Sequence, residues 1–239
     1  MRRDKVRSIF AVAVGERLPE EVDLYEVLRP IEMTAPPPRP CVYSPASCDV
    51  IASDFHWPKS DKQAEAVLLE AIKRLRPETV YLNGDLYDMM AQSRFDKEYR
   101  KRFGWTPQDE ADAGAKFLHL LEDVVQTWDG KIVMSLGNHE ERWWRWLNQV
   151  APALVGMEKA EELLSFRQWF IPAWSRLELR EEDTVIMPSS NDPLVITHGA
   201  VVRSNAGASA NAMGKKLLSS VVMGHVHRMG MSVIRVPAR

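Results

Sequence analysis

Five short apolar runs in this chain each end on a side chain that can bind a cation. That recurrence limits the possible folds more than any other feature of the sequence. Val50–Ser53 leads into Asp54-Phe55-His56, and Thr79–Asn83 into Gly84-Asp85-Leu86-Tyr87-Asp88. Lys131–Leu136 leads into Gly137-Asn138-His139-Glu140, Leu194–Thr197 into His198-Gly199, and Ser220–Met223 into Gly224-His225-Val226-His227. Short apolar runs bounded by turn residues read as buried strands. Between them the spacing predicts helices over Asp61–Arg74, with Ala64, Leu68, Ala71 and Leu75 as its apolar stripe, over Asp109–Trp128, over Glu140–Val150 and over Ala206–Ser219. Alternating strand and helix implies βαβ units, parallel strands and right-handed crossovers. In such sheets ligands collect beyond the carboxyl ends of the strands, so five loops carrying Asp, Asn and His can meet in one pocket. Leu177–Met187 reads as a strand pair, hairpin-like with the run that ends at Thr197, and Met231–Val236 as a last strand.

With 239 residues, 45% of them hydrophobic and 27% charged, the chain has material for one sizeable core. The first 48 residues carry no such loop. They close on the proline-rich run Thr34-Ala35-Pro36-Pro37-Pro38-Arg39-Pro40, which favours extended conformation. Residues 1–48 are therefore expected to form an N-terminal arm and linker, and 49–239 the catalytic domain. A net charge of −2 excludes a chain devoted to wrapping nucleic acid, while a local basic groove stays compatible with it. The apolar piece Ile9–Val14 is too short for a secretory segment. No run approaches the ~18 apolar residues of a membrane helix. Cys41 and Cys48 lie outside all five loops, which argues against a thiolate metal site or a disulfide framework. A soluble cytoplasmic protein with no membrane partner is the expectation.

The donors at the strand ends are carboxylate, amide oxygen and imidazole. That set suits borderline divalent ions: manganese first, with iron, nickel, cobalt or zinc as alternatives. There are more donors than one catalytic ion uses, since such an ion keeps a position open for water. Two ions about 3.5–4 Å apart would use them all and clamp both sides of a phosphoryl displacement. The glycines before Asp85, Asn138 and His225 are read as letting the backbone turn sharply on leaving each strand.

The ordered set Asp-x-His, Gly-Asp-x-x-Asp, Gly-Asn-His-Glu, His and Gly-His-x-His resembles the calcineurin-like metallophosphoesterases, from about Asp49 to Met229. The resemblance is to a small bacterial or phage-type member. Met89-Met90 stand after Asp88 where the serine/threonine protein phosphatases have Arg-Gly. It implies an α/β fold, a four-layer α-β-β-α sandwich. It implies Asp54, His56 and His227 on one metal, Asn138, His198 and His225 on a second, and Asp85 bridging both together with a hydroxide. His139 would protonate the leaving oxygen, and Asp88 would orient His139 or a ligand. The implied activity is hydrolysis of phosphate esters, with a phosphodiesterase or nuclease first and a phosphomonoesterase on a small metabolite or phosphoprotein as the alternative. A non-catalytic binding module on the same fold is a remote third, because such a module would lack the bridging Asp or the catalytic His.

Five of the six histidines fall in this pattern. The sixth, His119, is assigned to packing or solvent. Trp143, Trp146 and Leu147 are read as a buried helical stripe, while Trp144 or Arg145 could border the pocket and stack on a base. Ser93–Phe103 interleaves Arg94, Lys97, Arg100, Lys101 and Arg102 with Phe95, Tyr99 and Phe103. Such a stretch can meet phosphates and bases, so a nucleotide or nucleic acid is a candidate substrate. Arg142 and Arg203 follow motifs closely and are candidates to hold a nonbridging phosphate oxygen.

Overall fold

The computed structural model describes residues 48–93, 104–180, 194–205 and 207–232. Strands β1 (Asp49–Ala52), β2 (Thr79–Asn83), β3 (Lys131–Ser135) and β4 (Glu178–Arg180) form one sheet in that order, every pair parallel. Strands β5 (Leu194–Thr197) and β6 (Ser220–Met223) form a second, two-stranded parallel sheet. Ala52 lies opposite Leu82, Leu82 opposite Met134 and Asn83 opposite Ser135. The loops that follow β1, β2 and β3 therefore leave the sheet at one level. In the hairpin-like Leu177–Thr197 region, β4 adds to β3 in parallel while β5 belongs to the other sheet; residues 181–193 lie outside the described residues. Of the last strand expected, Met231 and Ser232 are described and are not strand. Of residues 1–48 only Cys48 is described, and it forms no disulfide.

Helix α1 (Lys62–Leu75) starts at Asp61, whose carboxylate accepts from the N–H of Gln63 at 3.0 Å and of Ala64 at 3.3 Å. Such a cap stabilises the helix by about 1 kcal/mol. It stops at Arg76, which turns left-handed. The buried stripe is Ala66, Leu69 and Ile72, with Leu68 at its edge, while Leu75 is exposed. That corrects the stripe expected from Ala64, Leu68, Ala71 and Leu75. The helix carries two apolar rows at helical spacing, and contact with the sheet selects between them. Helix α2 (Pro107–Val125) opens on a capping box between Thr106 and Asp109 and buries Phe117, Leu118 and Leu121. Helices α3 (Glu141–Val150), α4 (Glu158–Leu163) and α5 (Phe166–Phe170) follow β3, and α6 (Ala208–Leu217) precedes β6.

Alternation along the strands sorts the core. Val80, Leu82, Ile132 and Met134 face Leu69, Ile72, Phe117, Leu118 and Leu121 of α1 and α2. Tyr81 and Val133, one position out of phase, meet Ile196 of β5. Helices α1 and α2, the four-stranded sheet and the two-stranded sheet stack in that order, and α6 lies against β6. Asn83 stitches the two sheets together, its amide donating to the Thr197 carbonyl at 3.0 Å. No described helix is long and apolar enough to cross a membrane.

Trp143 and Leu147 are buried in the main core and Trp146 is partly buried against it. Trp144 lines a small apolar cleft with Leu147, Leu154, Val155 and Leu164, and Arg145 pairs with Glu141. His119 is exposed, its ring 5.4 Å from that of Trp174.

Candidate metal centre

Beyond the strand ends the backbone pairing of β1 and β2 resumes. Asp54 N–H donates to Gly84 O at 3.0 Å, His56 N–H to Asp85 O at 3.0 Å and Trp57 N–H to Leu86 O at 2.7 Å. This fixes the Asp54–His56 loop directly over the Asp85 loop. Asp54, His56, Asp85, His225 and His227 all have positive φ, between 50° and 71°. Left-handed backbone at a residue other than glycine costs on the order of 1 kcal/mol or more, and such residues gather at functional sites. The three glycines behave differently from the expectation. Only Gly84 has a positive φ, at 74°. Gly137 and Gly224 are needed for space, since a Cβ would lie 2.3 Å from Asp85 Oδ1 and 2.6 Å from Asp54 Oδ2 respectively.

The structure brings the sequence candidates together in two groups that share Asp85, and gathers His56, Asp88 and His139 into a third. Asp54, His56, Asp85 and His227 place donor atoms within 4.8 Å of one another, as do Asp85, His198 and His225. His56 Nε2 and His227 Nε2 are 3.0 Å apart, and His227 Nε2 is 3.1 Å from Asp54 Oδ1. His198 Nε2 lies 3.1 Å from Asp85 Oδ2. Its Nδ1 is 2.9 Å from the Asn83 carbonyl. A carbonyl there keeps a proton on Nδ1 and leaves Nε2 as the ring atom that a cation would take, the tautomer a metal ligand requires. Asn138 Oδ1 and His225 Nδ1 are buried without a hydrogen-bond partner. Buried polar atoms are nearly always paired. His198 Nε2 is a third such atom, and the orphans on His198 and His225, both of the group that holds Asp85, fit a cation there.

Charge in the site follows the same logic. Burial pushes the Asp85 carboxyl up, but the hydrogen bond from His198 and the imidazoles of His198, His139 and His56 hold it well below the usual carboxylate range. Burial also opposes Asp54, which His227, His198 and Ser53 nevertheless hold down. Burial lowers the His198 imidazolium, and the Asp85 carboxylate overcomes it and lifts the group to about 9. His227 is raised by its hydrogen bond to Asp54. His56 and His225 are lowered, first by burial and then, against the pull of the acids, by neighbouring imidazoles.

His139 stands beside this cluster. Its N–H donates to Asp85 Oδ1 at 2.9 Å, its ring lies 4.5 Å from that of His56, and its Nδ1 is 2.9 Å from the Asp88 carbonyl. Asp88 Oδ1 is 3.4 Å from both His139 Nδ1 and His56 Nδ1, and Asp88 Oδ2 pairs with Lys59. Arg142 donates from Nη1 to the Asp88 carbonyl at 2.9 Å, and its Nη2 lies 2.8 Å from His139 Nε2. Arg203 is exposed. The stretch expected to cover the site, Ser93–Phe103, lies outside the described residues from Arg94 on.

Three residues were given no role from sequence. Lys59 balances Asp88. Glu140 is fully buried and accepts from the N–H groups of Asp85, Leu86, Tyr87 and Gly137. Glu110 accepts from those of Met89 and Met90. Glu140 stood in the quoted Gly-Asn-His-Glu motif, whereas an acid in the first turn of a helix, such as Glu110, reads only as a complement to the helix dipole.

A sequence model described as calcineurin-like phosphoesterase matches residues 50–229. The chain is 28% identical over 189 residues to the Gene 54 protein of Mycobacterium phage L5, an alignment that covers 76% of this chain and 69% of that protein. It is 30% identical over 190 residues to the Gene 54 protein of Mycobacterium phage D29, with the same coverage. No solved structure matches it. With the family matched over most of its length and the donors gathered around Asp85, this chain belongs to the calcineurin-like phosphoesterases, the dinuclear metal-dependent hydrolases of phosphate esters.

Proposed function

We propose that the protein is a phosphodiesterase or nuclease that holds one divalent ion on Asp54, His56, Asp85 and His227 and a second on Asp85, Asn138, His198 and His225. The observation that carries the metal assignment is the pair of donor groups sharing Asp85. Manganese is the first candidate for both sites, given oxygen and nitrogen donors without thiolate. When bound, the ions activate water and withdraw charge from the phosphoryl oxygens.

The chain's own residues supply the rest. His139 faces the leaving group. Its Nδ1 proton is held by the Asp88 carbonyl, and Nε2 is the atom that would carry a proton to the leaving oxygen. Such general acid help is worth roughly 10²–10⁴ in rate. Arg142 occupies Nε2 in this structure, so an incoming phosphate must draw the guanidinium onto itself before that atom can act. Asp88 positions His139 and His56 and is balanced by Lys59.

The diester reading rests on the basic and aromatic residues of Ser93–Phe103, which can meet the phosphates and bases of a nucleotide or nucleic acid. The test is a hydrolysis panel with added Mn²⁺, using bis-p-nitrophenyl phosphate, p-nitrophenyl phosphate, cyclic nucleotides and single-stranded DNA. Higher kcat/KM on the diesters is expected. Preference for the monoester would assign the protein to the phosphomonoesterases instead.

A further inference from the structure

The segment that carries Asp85 and Asp88 has no spare backbone donor from residue 85 to residue 90. Glu140 takes the first three: Asp85 N–H reaches Oε2 at 3.0 Å, and Leu86 and Tyr87 N–H reach Oε1 at 2.7 and 2.9 Å. Asp88 N–H goes to the Trp57 carbonyl at 3.1 Å. Glu110 takes the last two, Met89 N–H on Oε2 at 2.7 Å and Met90 N–H on Oε1 at 3.3 Å. Both glutamates are buried, with 0% and 3% exposure. A buried carboxylate is costly unless fully hydrogen-bonded, and packing alone would be served as well by an apolar residue. Glu140 also takes the Gly137 N–H on Oε2 at 2.8 Å, which ties the Asn138 loop to the Asp85 loop.

We propose that Glu140 and Glu110 are positioning residues that hold the two ends of this segment for two different tasks. Glu140 sets Asp85 against Asn138, and so sets the metal-binding geometry. Glu110, reaching from α2, sets the peptide after Asp88, whose carbonyl bonds both His139 and Arg142, and so sets the substrate side. Each oxygen of Glu140 accepts two N–H groups. Whichever way a glutamine amide is turned at this position, its NH₂ meets two donors head-on. The metal half of the assignment rests on the reading of Asp85 and Asn138 as ligands.

The test compares wild type, Glu140→Gln and Glu110→Gln. Mn²⁺ dissociation constants are measured calorimetrically on folded, chelator-treated protein, and kcat and KM are measured on diesters with good and poor leaving groups. Loss of an outer partner of a metal ligand typically costs about 10–100-fold in affinity. Glu140→Gln is expected to weaken Mn²⁺ binding by that factor. Glu110→Gln is expected to bind Mn²⁺ within about threefold of wild type while losing about tenfold or more in kcat on the poor leaving group. A purely structural role would lower the melting temperature of both variants without this split. Wild type taking up fewer than two ions would overturn the metal reading and the Glu140 assignment with it. Two ions bound by wild type, and bound as tightly by Glu140→Gln, would overturn the Glu140 assignment alone. Weakened Mn²⁺ binding in Glu110→Gln, or an unchanged kcat, would overturn the Glu110 half. Should Glu140→Gln fail to fold, Glu140→Asp decides in its place. It keeps the charge but is too short to span four donors, so wild-type Mn²⁺ affinity there would also overturn the assignment.

Discussion

Gly137→Ala adds one methyl group at the tightest point of the site. Gly137 has an ordinary backbone conformation, so alanine brings no torsional penalty and the variant tests space alone. The new Cβ would lie 2.3 Å from Asp85 Oδ1 and 2.4 Å from Asp85 N, about 1 Å inside the 3.4 Å at which ordinary contact begins. The carboxylate can rotate away only by giving up the 2.9 Å bond from His139 N–H. The backbone nitrogen cannot rotate away at all, so one loop has to move. Overpacking of this kind costs about 1–3 kcal/mol. For a chain of this size each kcal/mol lowers the melting temperature by roughly 2–4 °C, which gives a fall of roughly 2–12 °C. A 1 Å displacement within a catalytic constellation costs on the order of 10²-fold in turnover. The assay is ion content by elemental analysis after gel filtration, with thermal melting and diester hydrolysis on the same sample. Gly156→Ala is the control: its φ is 88° and its Cβ would meet nothing within 4 Å, so it carries backbone strain without crowding the site. It should melt lower and keep both ions. If Gly137→Ala takes up two ions and turns over like wild type, the shared role of Asp85 is wrong.

Asp85→Asn should cost both ions, because Asp85 belongs to both donor groups; elemental analysis finding one ion retained would leave Asp85 on a single site. His139→Ala should keep both ions and lose roughly 10²–10⁴ in rate, most on poor leaving groups and least on nitrophenyl esters. Ion content falling in step with activity would make His139 a ligand. Metal-free protein should lose stability as pH rises from 6.5 to 9. The His198 imidazolium is lifted from 6.5 to about 9 in the folded state, so its contribution is complete below 6.5 and gone above 9. Glu110, raised by burial from 4.5 to about 7, adds a fall across that lower window, because the folded state there holds the extra proton. Melting of chelator-treated protein from pH 5 to pH 10 checks this, and a melting temperature that rises from pH 6.5 to pH 9 would contradict it.

The donor chemistry was legible in the chain itself. Which residue types end each apolar run, and the order in which they come, are local properties, and strand periodicity is enough to place Asp54, Asp85, Asn138, His198 and His225 just beyond the carboxyl ends of strands. The capping box of Thr106 and Asp109 is equally local, since donor and acceptor lie three residues apart. What tertiary structure decided depends on contacts between segments distant in sequence. Helix α1 offers two apolar rows, and only packing on the sheet buries Ala66, Leu69 and Ile72. Gly137 and Gly224 look like turn glycines until Asp85 and Asp54 are seen where a Cβ would sit. Glu140 and Glu110 both stand at the starts of expected helices, yet they bond backbone more than 50 and about 20 residues away. Arg142 reads as a free phosphate ligand, but in the fold it lies on His139 Nε2. A sequence displays the chemistry of each group, but which groups meet is set by the packing of remote segments, because burial and hydrogen-bond pairing are satisfied only through space.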